Sequence, residues 1–186
     1  IDGNNQGIGA LFVEAGTEGL VIGKPENKMG WRGSDTRSIF FDNMKIPKEN
    51  ILGKPNKGFK QFLKTLTAGR ISISALALGN AIGAYDIALK YSNDRMAFGK
   101  KINKFQGISF KLADMEVQIQ AARQLIYHAA WLKDNNEDVI KDAAIAKLYS
   151  SEAAMNITSE AIQVLGGYGY VREYNVERFF RDAKIL

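Results

Sequence analysis

The segment NDRMAFGKKINKFQ carries residue types that bind phosphorylated ligands. Arg95 is followed by Phe98, whose aromatic ring could pack on a flat ligand, by Gly99, by two lysines, and by Gln106 where a helix is predicted to begin. A guanidinium can hold a phosphate through two parallel hydrogen bonds, and a helix N-terminus offers further N–H donors. A connector with a glycine turn and exposed charge explains the same residues. The segment is therefore one candidate anion site.

A second candidate is the glycine-rich segment QVLGGYGYVREYN. It differs from a dinucleotide-binding fingerprint, because that motif follows a strand and opens a helix, whereas these glycines follow a predicted helix. Two interpretations stay open. Gly166 and Gly167 can end the helix in a tight turn, or they can bring backbone close to a bulky ligand because no side chain intervenes. In the second case Gln163, on the last helical turn, is placed to hydrogen-bond that ligand.

A third candidate, TLTAGR, places Arg70 inside a predicted helix directly after Gly69. A glycine in a helix interior costs about 1 kcal/mol relative to alanine, which indicates that something needs the space. A close crossing with another helix is the simpler explanation, and a bound ligand is the alternative.

Several other kinds of chemistry find no support in the sequence. The chain has no cysteine, and its one histidine, His128, has no second histidine with which to share a metal. Nucleophile elbows and nucleotide-triphosphate loops are absent from the sequence. The composition, 46% hydrophobic and 24% charged with a net charge of +5, is that of an ordinary globular protein. We therefore expect no metal, no nucleic acid partner and no membrane insertion.

The chain divides into two kinds of sequence. Residues 1–53 combine turn residues with short apolar runs, which predicts about three antiparallel strands, within GIGALFVEA, GLVIG and SIFFDNMKI. Beyond this part apolar residues recur every three or four positions, and we expect helices at 59–93, at 105–133, from Asp138 (an N-cap) to 165, and after Asn175. The predicted fold class is α+β: 1–53 end an antiparallel β-domain, and 54–186 form an antiparallel four-helix bundle.

Four segments together resemble the acyl-CoA dehydrogenases in their order and spacing: KMGWRGSDTRSIFFDNMKIP, RMAFGKKINKFQ, FKLADM and QVLGGYGYVREYNVERFFRDAKI. The resemblance extends over essentially the whole chain and is greatest to the short-chain, butyryl-CoA type of bacteria. It implies an FAD-dependent enzyme that dehydrogenates a short-chain acyl-CoA at its α and β carbons. It also implies an electron-transferring flavoprotein as partner, a homotetramer, and a location in the bacterial cytoplasm or, in a eukaryote, the mitochondrial matrix.

The resemblance assigns roles to particular residues. Arg95 matches the residue that reaches the FAD pyrophosphate of a neighbouring subunit, and Arg70 is the foremost candidate for contact with the CoA thioester. The cofactor-binding residues implied in this way are Arg95, Phe98, Gln106, Gln163, Val164, Leu165, Gly166 and Gly167. The substrate-binding residues are Thr67, Ala68, Gly69 and Arg70.

The same resemblance implies no catalytic residue within the chain. The usual base of the family is a glutamate that the resemblance places shortly beyond Leu186, because NVERFFRDAKIL matches the segment that precedes it. NVERFFRDAKIL also has no helix stop signal. Some members carry the base beside the residue that matches Arg70, where this sequence has Gly69, which cannot take a proton. Two alternatives stay open: a non-catalytic helical scaffold or oligomerisation module, and a related flavin oxidase or monooxygenase.

Overall fold

The computed structural model describes residues 7–186, and it contains four strands and four α-helices in this range. The strands are β1 (Leu20–Pro25), β2 (Arg37–Phe41), β3 (Met96–Ala97) and β4 (Lys100–Lys101). The helices are α1 (Gly58–Asp94), α2 (Gln106–Asp134), α3 (Ile140–Leu165) and α4 (Val176–Ala183). This content of small antiparallel strands followed by helices confirms the predicted α+β class.

Contacts between residues group the chain into two compact units. One unit holds the described residues up to Lys28 together with Arg32–Leu66, and the other holds Met29–Trp31 with Thr67–Leu186. The domain boundary expected between residues 53 and 54 stays a prediction.

The first unit contains the hairpin of β1 and β2. The two strands pair antiparallel, with Val21 opposite Phe40 and Ile22 opposite Ile39, and the register shifts before Pro25 pairs with Arg37. The expectation of a further strand within residues 7–15 is wrong. That segment forms only an isolated bridge between Leu11 and Ile51, because its pairing partner is a short connection that continues directly into a turn.

The second unit is built around α2, where the predicted helical stripe is confirmed. The stripe side chains that are buried there are Leu112, Met115, Ile119, Ala122, Ile126 and Ala129. They pack against two helices whose buried faces consist largely of alanine, including Ala84 and Ala88 on α1 and Ala146 and Ala154 on α3. Because alanine side chains are small, the helix backbones can approach one another closely in this core.

The short helix α4 follows Asn175, as predicted. Asn175 adopts a left-handed backbone conformation with φ of 58°, and its side chain makes no capping hydrogen bond. At the start of α3 the expected N-cap is shifted by one residue: Val139 occupies the cap position, while Asp138 accepts a hydrogen bond from the Ile140 N–H at 3.2 Å. The Asp138 carboxylate thus still satisfies a free backbone donor at the helix start.

The helix α1 is long and apolar enough to cross a membrane when length and composition alone are considered. This is weak support for a membrane span, since the core helix of a soluble protein meets the same criterion. Several of its alanines, including Ala77, Ala81 and Ala84, are buried in the helical core.

Candidate functional site

The end of α1 positions Arg95 through backbone hydrogen bonds. The Arg95 N–H donates to the Tyr91 carbonyl at 2.8 Å, and the Arg95 carbonyl accepts a hydrogen bond from the Ile102 N–H at 2.9 Å. Between these two bonds the chain forms the hairpin of β3 and β4. The backbone at Arg95 is therefore held from both sides, while its side chain is exposed.

The tip of this hairpin consists of Phe98 and Gly99, which both have positive φ values of 49° and 80°. Such a pair is typical of the two-residue turn that matches the twist of a hairpin. A non-glycine residue in this conformation costs about 1 kcal/mol or more. The conformation leaves Phe98 96% exposed, with only the Phe105 ring nearby at a centroid distance of 6.3 Å.

Three tyrosines lie beside Arg95. The guanidinium carbon of Arg95 lies 5.4 Å from the centroid of the Tyr168 ring, which is within the range of a cation–π interaction. The ring of Tyr174 lies 5.0 Å from that of Tyr168 and 5.9 Å from that of Tyr91. Burial raises the pKa of the Tyr91 phenol above its ordinary value of 10.0, although the neighbouring Arg95 cation acts in the opposite direction.

The glycine segment begins where α3 ends. Gly166 has a φ of 60° and its N–H donates to the Gln163 carbonyl, which ends the helix. Gly166–Tyr170 then form a 3-10 helix, in which a side chain at Gly169 would collide with the backbone of Ile162. Gly167, by contrast, has no atom near the position of a side chain, so its backbone is open to a ligand.

These elements surround a cavity of about 440 Å³. It is lined by Tyr91, Arg95, Ile102, Leu165, Gly167, Tyr168 and Val171. No carboxylate of the described residues forms an ion pair with Arg95, although four other ion pairs occur in this part of the chain. A cation without an acidic partner, beside apolar walls and open glycine backbone, can bind the phosphates of a ligand that also carries a flat apolar ring.

The structure brings together some of the predicted cofactor residues. Arg95, Leu165 and Gly167 line the same cavity. Phe98 and Gln106 lie outside its lining, at the hairpin tip and at the first turn of α2. Among the neighbours of the glycines, Gln163 is exposed and Val164 is buried at 4% exposure.

The predicted substrate residues form a separate group. Thr67, Ala68, Gly69 and Arg70 are half-buried in the middle of α1. At 1.5 Å per helical residue, Arg70 and the end of α1 are roughly 35 Å apart along the helix axis. The two predicted groups therefore lie in separate places along α1.

Sequence reasoning missed the aromatic residues of the Arg95 cavity. Tyr91 lies one helical turn before Arg95, and this spacing of four residues could have identified it. Tyr168 and Tyr174 occur within the glycine-rich segment QVLGGYGYVREYN, but nothing in the neighbouring sequence indicates that their rings contact Tyr91. The tyrosine cluster is therefore a finding of the structure.

Two other features of the second unit bear on function. His128 is exposed, with its Nε2 atom 3.6 Å from Asp142 Oδ1, and no group of three or more potential metal ligands occurs among residues 7–186. A further cavity of about 480 Å³ lies against the middle of α1 and the end of α4, where the Asn80 Oδ1 atom is buried without a hydrogen-bond donor.

Trp31 lines that cavity, and the tripeptide Met29–Trp31 to which it belongs is hydrogen-bonded to α4. The Trp31 N–H donates to Asp182 Oδ1 at 2.6 Å, and the indole N–H donates to the Asp182 carbonyl at 2.8 Å. Arg181 donates to the Met29 carbonyl at 2.7 Å and pairs with Glu177 at 2.7 Å. We call these contacts the Trp31 clamp.

Comparison with known proteins identifies the class to which this fold and site belong. The family model of the acyl-CoA dehydrogenase C-terminal domain matches residues 56–186. The chain belongs to the acyl-CoA dehydrogenase family, which confirms the resemblance seen in the sequence.

Two of the similar proteins are a short-chain specific acyl-CoA dehydrogenase and a butyryl-CoA dehydrogenase. The mitochondrial short-chain specific acyl-CoA dehydrogenase of Homo sapiens is 51% identical over 97% of this chain and 44% of its own length. The structure of butyryl-CoA dehydrogenase from Megasphaera elsdenii superposes with a TM-score of 0.95 at 51% identity, covering 97% of this chain and 47% of that one.

A further solved structure concerns electron transfer. A chain in the structure described as the electron transferring flavoprotein of Acidaminococcus fermentans, studied for flavin-based electron bifurcation, matches with a TM-score of 0.93 at 47% identity. The match covers 95% of this chain and 47% of that one. The chain spans about half the length of the curated relatives it matches.

Proposed function

We propose that the chain is part of an FAD-dependent acyl-CoA dehydrogenase that acts on a short-chain acyl-CoA. The observation that carries the proposal is the Arg95 cavity, in which a guanidinium without an acidic partner lies beside open glycine backbone. Family membership and about half identity to short-chain and butyryl-CoA dehydrogenases support the reaction and the acyl length.

The residues of the cavity fit the adenosine and diphosphate portion of FAD. Arg95 would hold the diphosphate through charge-assisted hydrogen bonds. The open backbone at Gly167 would allow the ribose to approach closely, and Leu165 and Val171 offer apolar surface to the adenine. When bound, FAD would supply the acceptor for the hydride that leaves the β carbon of the substrate.

The group around Arg70 is proposed to bind the acyl-CoA. Arg70 forms no ion pair with the described residues, and the Ser74 hydroxyl donates to its carbonyl at 2.7 Å. A side chain at Gly69 would meet no atom within 4 Å, so this part of α1 leaves room for a ligand. None of the residues 67–70 is a carboxylic acid, and this group therefore provides binding and no general base.

A homotetramer is proposed because α2 exposes large apolar side chains along one face. Phe110, Val117, Tyr127 and Trp131 are each more than half exposed, and their spacing places them on the same side of the helix. Large apolar side chains exposed on one side of a helix are candidates for burial at an interface between subunits. Burial between subunits would stabilise the assembly, and a subunit interface is also where the family resemblance locates the cofactor.

The electron acceptor is proposed to be an electron-transferring flavoprotein. The support is the close match to a chain in a structure whose description names such a flavoprotein. The proposed location is the cytoplasm in a bacterium and the mitochondrial matrix in a eukaryote. The support for the second is that the similar human enzyme is named as mitochondrial.

The proposal is tested by the substitution Arg95→Ala in the protein at its native length. We expect FAD to bind at least about tenfold more weakly, because a charge-assisted hydrogen bond contributes about 1.5–3 kcal/mol. The free energy of unfolding should change by less than about 1 kcal/mol, since the side chain is exposed, forms no ion pair with the described residues and contributes at most a cation–π contact with Tyr168. Flavin fluorescence titration and chemical denaturation measure these two quantities.

A matched control is Arg123→Ala, because Arg123 lies on α2 and bonds only to the exposed Gln120 at 3.0 Å. This variant should bind FAD as the parent protein does. Unchanged FAD affinity in Arg95→Ala would exclude the diphosphate role. Anaerobic addition of butyryl-CoA should bleach the bound flavin, and a protein that binds no flavin at all would favour the non-catalytic helical module.

A further inference from the structure

Arg95 would be a poorly fixed ligand for a diphosphate if only its own chain positioned it. Its backbone is held, but its side chain is exposed and has no acidic partner among residues 7–186. A free arginine side chain loses rotamer entropy when it binds, which weakens the bond that it makes. Something must therefore restrict the guanidinium before the ligand arrives if the site is to bind tightly.

The Tyr168 ring is the group in contact with this guanidinium. It lies 5.4 Å from the Arg95 guanidinium carbon, in a cation–π arrangement that constrains the guanidinium without neutralising its charge. A carboxylate in the same place would hold the side chain equally well but would repel the phosphates of a ligand. An aromatic ring is the partner that preserves the charge.

The Tyr168 ring is itself held in place. It packs on Tyr174 at 5.0 Å and on Tyr91 at 6.4 Å, so three rings from α1 and from the two 3-10 helices after α3 support one another. The next residue, Gly169, is pressed against the backbone of Ile162, which fixes the chain on the other side of Tyr168. Tyr170 provides a contrast, because it is 86% exposed and takes part in none of these ring contacts.

We propose that Tyr168 is a positioning residue: its ring holds the Arg95 guanidinium in the orientation that binds the diphosphate of the cofactor. The inference rests on the proposed function for the identity of the ligand. The ring and not the hydroxyl does this, because a cation–π interaction requires only the aromatic face. Phenylalanine at position 168 should therefore preserve the affinity for FAD, and leucine should not.

The first part of the test measures FAD affinity in variants of the protein at its native length. Tyr168→Leu should weaken FAD binding by about twofold to fivefold, the range that corresponds to a cation–π interaction at an exposed site. Tyr168→Phe should bind as the parent does, and so should the control Tyr170→Leu. In Arg95→Ala the further change Tyr168→Leu should have no effect, because the ring then has no guanidinium to hold.

A second measurement needs no flavin and separates the inference from the proposed function. In NMR spectra of the ligand-free protein, the side-chain protons of Arg95 should be shifted upfield by the ring current of the aromatic face. The shift should persist in Tyr168→Phe and disappear in Tyr168→Leu. An Arg95 signal that is unchanged in Tyr168→Leu overturns the positioning role, whether or not the protein binds FAD.

The outcomes of the two measurements can be told apart. Additive effects of Arg95→Ala and Tyr168→Leu on FAD affinity overturn the inference and leave the proposed function intact. If the protein binds no FAD, or if Arg95→Ala leaves FAD affinity unchanged, the proposed function is overturned. Normal ring-current shifts in that protein would show that the contact between Tyr168 and Arg95 still exists. Loss of affinity in Tyr168→Phe would assign the effect to the hydroxyl and contradict the proposal.

Discussion

The regions around Arg95 and around Arg181 use the same side chain in opposite ways. Arg95 is exposed, lacks an acidic partner among the described residues and rests on the ring of Tyr168. Arg181 is about one-quarter exposed, pairs with Glu177 at 2.7 Å and donates to the Met29 carbonyl. The hydrogen bond with Glu177 raises the pKa of Arg181 above its ordinary value.

This difference is the basis for proposing Arg95 as a binding group and Arg181 as a structural one. The charge of Arg181 is already satisfied by a carboxylate and a carbonyl, so it has little left to offer a ligand. The charge of Arg95 is not satisfied within the described chain, and a ligand phosphate can satisfy it. Substitutions around Arg181 should therefore lower stability, whereas substitutions around Arg95 should lower affinity.

The largest effect on stability is expected from Gly30→Ala in the Trp31 clamp. The added methyl group would lie 2.6 Å from both the Arg181 carbonyl oxygen and Asp182 Oδ1, so the tripeptide must move away from α4. Forced overpacking of this kind costs about 1–3 kcal/mol, and we expect the upper part of that range because backbone atoms are involved. Chemical denaturation measures the loss.

The control for this substitution is Gly33→Ala, three residues further along. A side chain at Gly33 meets no atom within 4 Å, so its free energy of unfolding should stay within about 0.5 kcal/mol of the parent value. Equal stability of the two variants would contradict the view that the clamp is a structural contact.

An intermediate effect is expected from Glu177→Gln. Loss of the charge-assisted bond to Arg181 should lower the free energy of unfolding by about 1–2 kcal/mol at neutral pH. The bond with Arg181 holds the pKa of Glu177 below its ordinary value of 4.5. A lowered pKa in the folded state means that the stabilisation is present above pH 4.5 and is lost as the pH falls through the folded-state pKa.

Denaturation curves recorded at several pH values test this prediction. The difference between the parent protein and Glu177→Gln should be full at neutral pH and should shrink in acid. Glu173→Gln, which removes an exposed carboxylate with no ion pair, should show neither the loss nor the pH dependence. A difference that is the same at all pH values would show that packing rather than charge is responsible.

The smallest effect concerns two glycines of α1. Gly79→Ala should stabilise the protein by up to about 1 kcal/mol, because alanine favours the helix and meets no neighbouring atom. At Gly83 the same methyl group would lie 2.5 Å from the Phe179 ring, so that α4 or the ring must shift. We expect Gly83→Ala to be less stable than Gly79→Ala by about 1 kcal/mol, because the added methyl group meets a side chain rather than backbone.

Thermal denaturation of the two variants side by side measures this difference. Equal melting temperatures would mean that the Phe179 ring moves freely and that α4 is only loosely packed on α1. That outcome would weaken the distinction between a rigid region at Arg181 and an open region at Arg95.

Much of the fold could be predicted from the sequence because helices leave a local signal. The stripe from Leu112 to Ala129 has the helical period, and the observed bounds of α2 differ from the predicted ones by one residue. The strands of the first unit were harder to predict, since strand formation depends on a pairing partner that the sequence period does not identify. The segment around Leu11 has an apolar pattern, yet it forms only one bridge.

The candidate site also contains residues that the sequence could identify and residues that it could not. Arg95, Gly166 and Gly167 could be selected from the sequence because a guanidinium and paired glycines have chemical consequences of their own. The contact between Arg95 and Tyr168 could not be selected, because the two residues belong to segments that only the packing of α1 against the end of α3 brings together.

The sequence by itself determined the α+β class, the positions of the helices and the membership in the acyl-CoA dehydrogenase family, because periodicity and motif spacing are properties of the chain. The carboxylate beside Arg181 also follows from the sequence, because Glu177 lies four residues earlier on the same helix. Only the tertiary structure decided what lies beside Arg95, because the ring of Tyr168 belongs to a distant segment that folding brings to the end of α1.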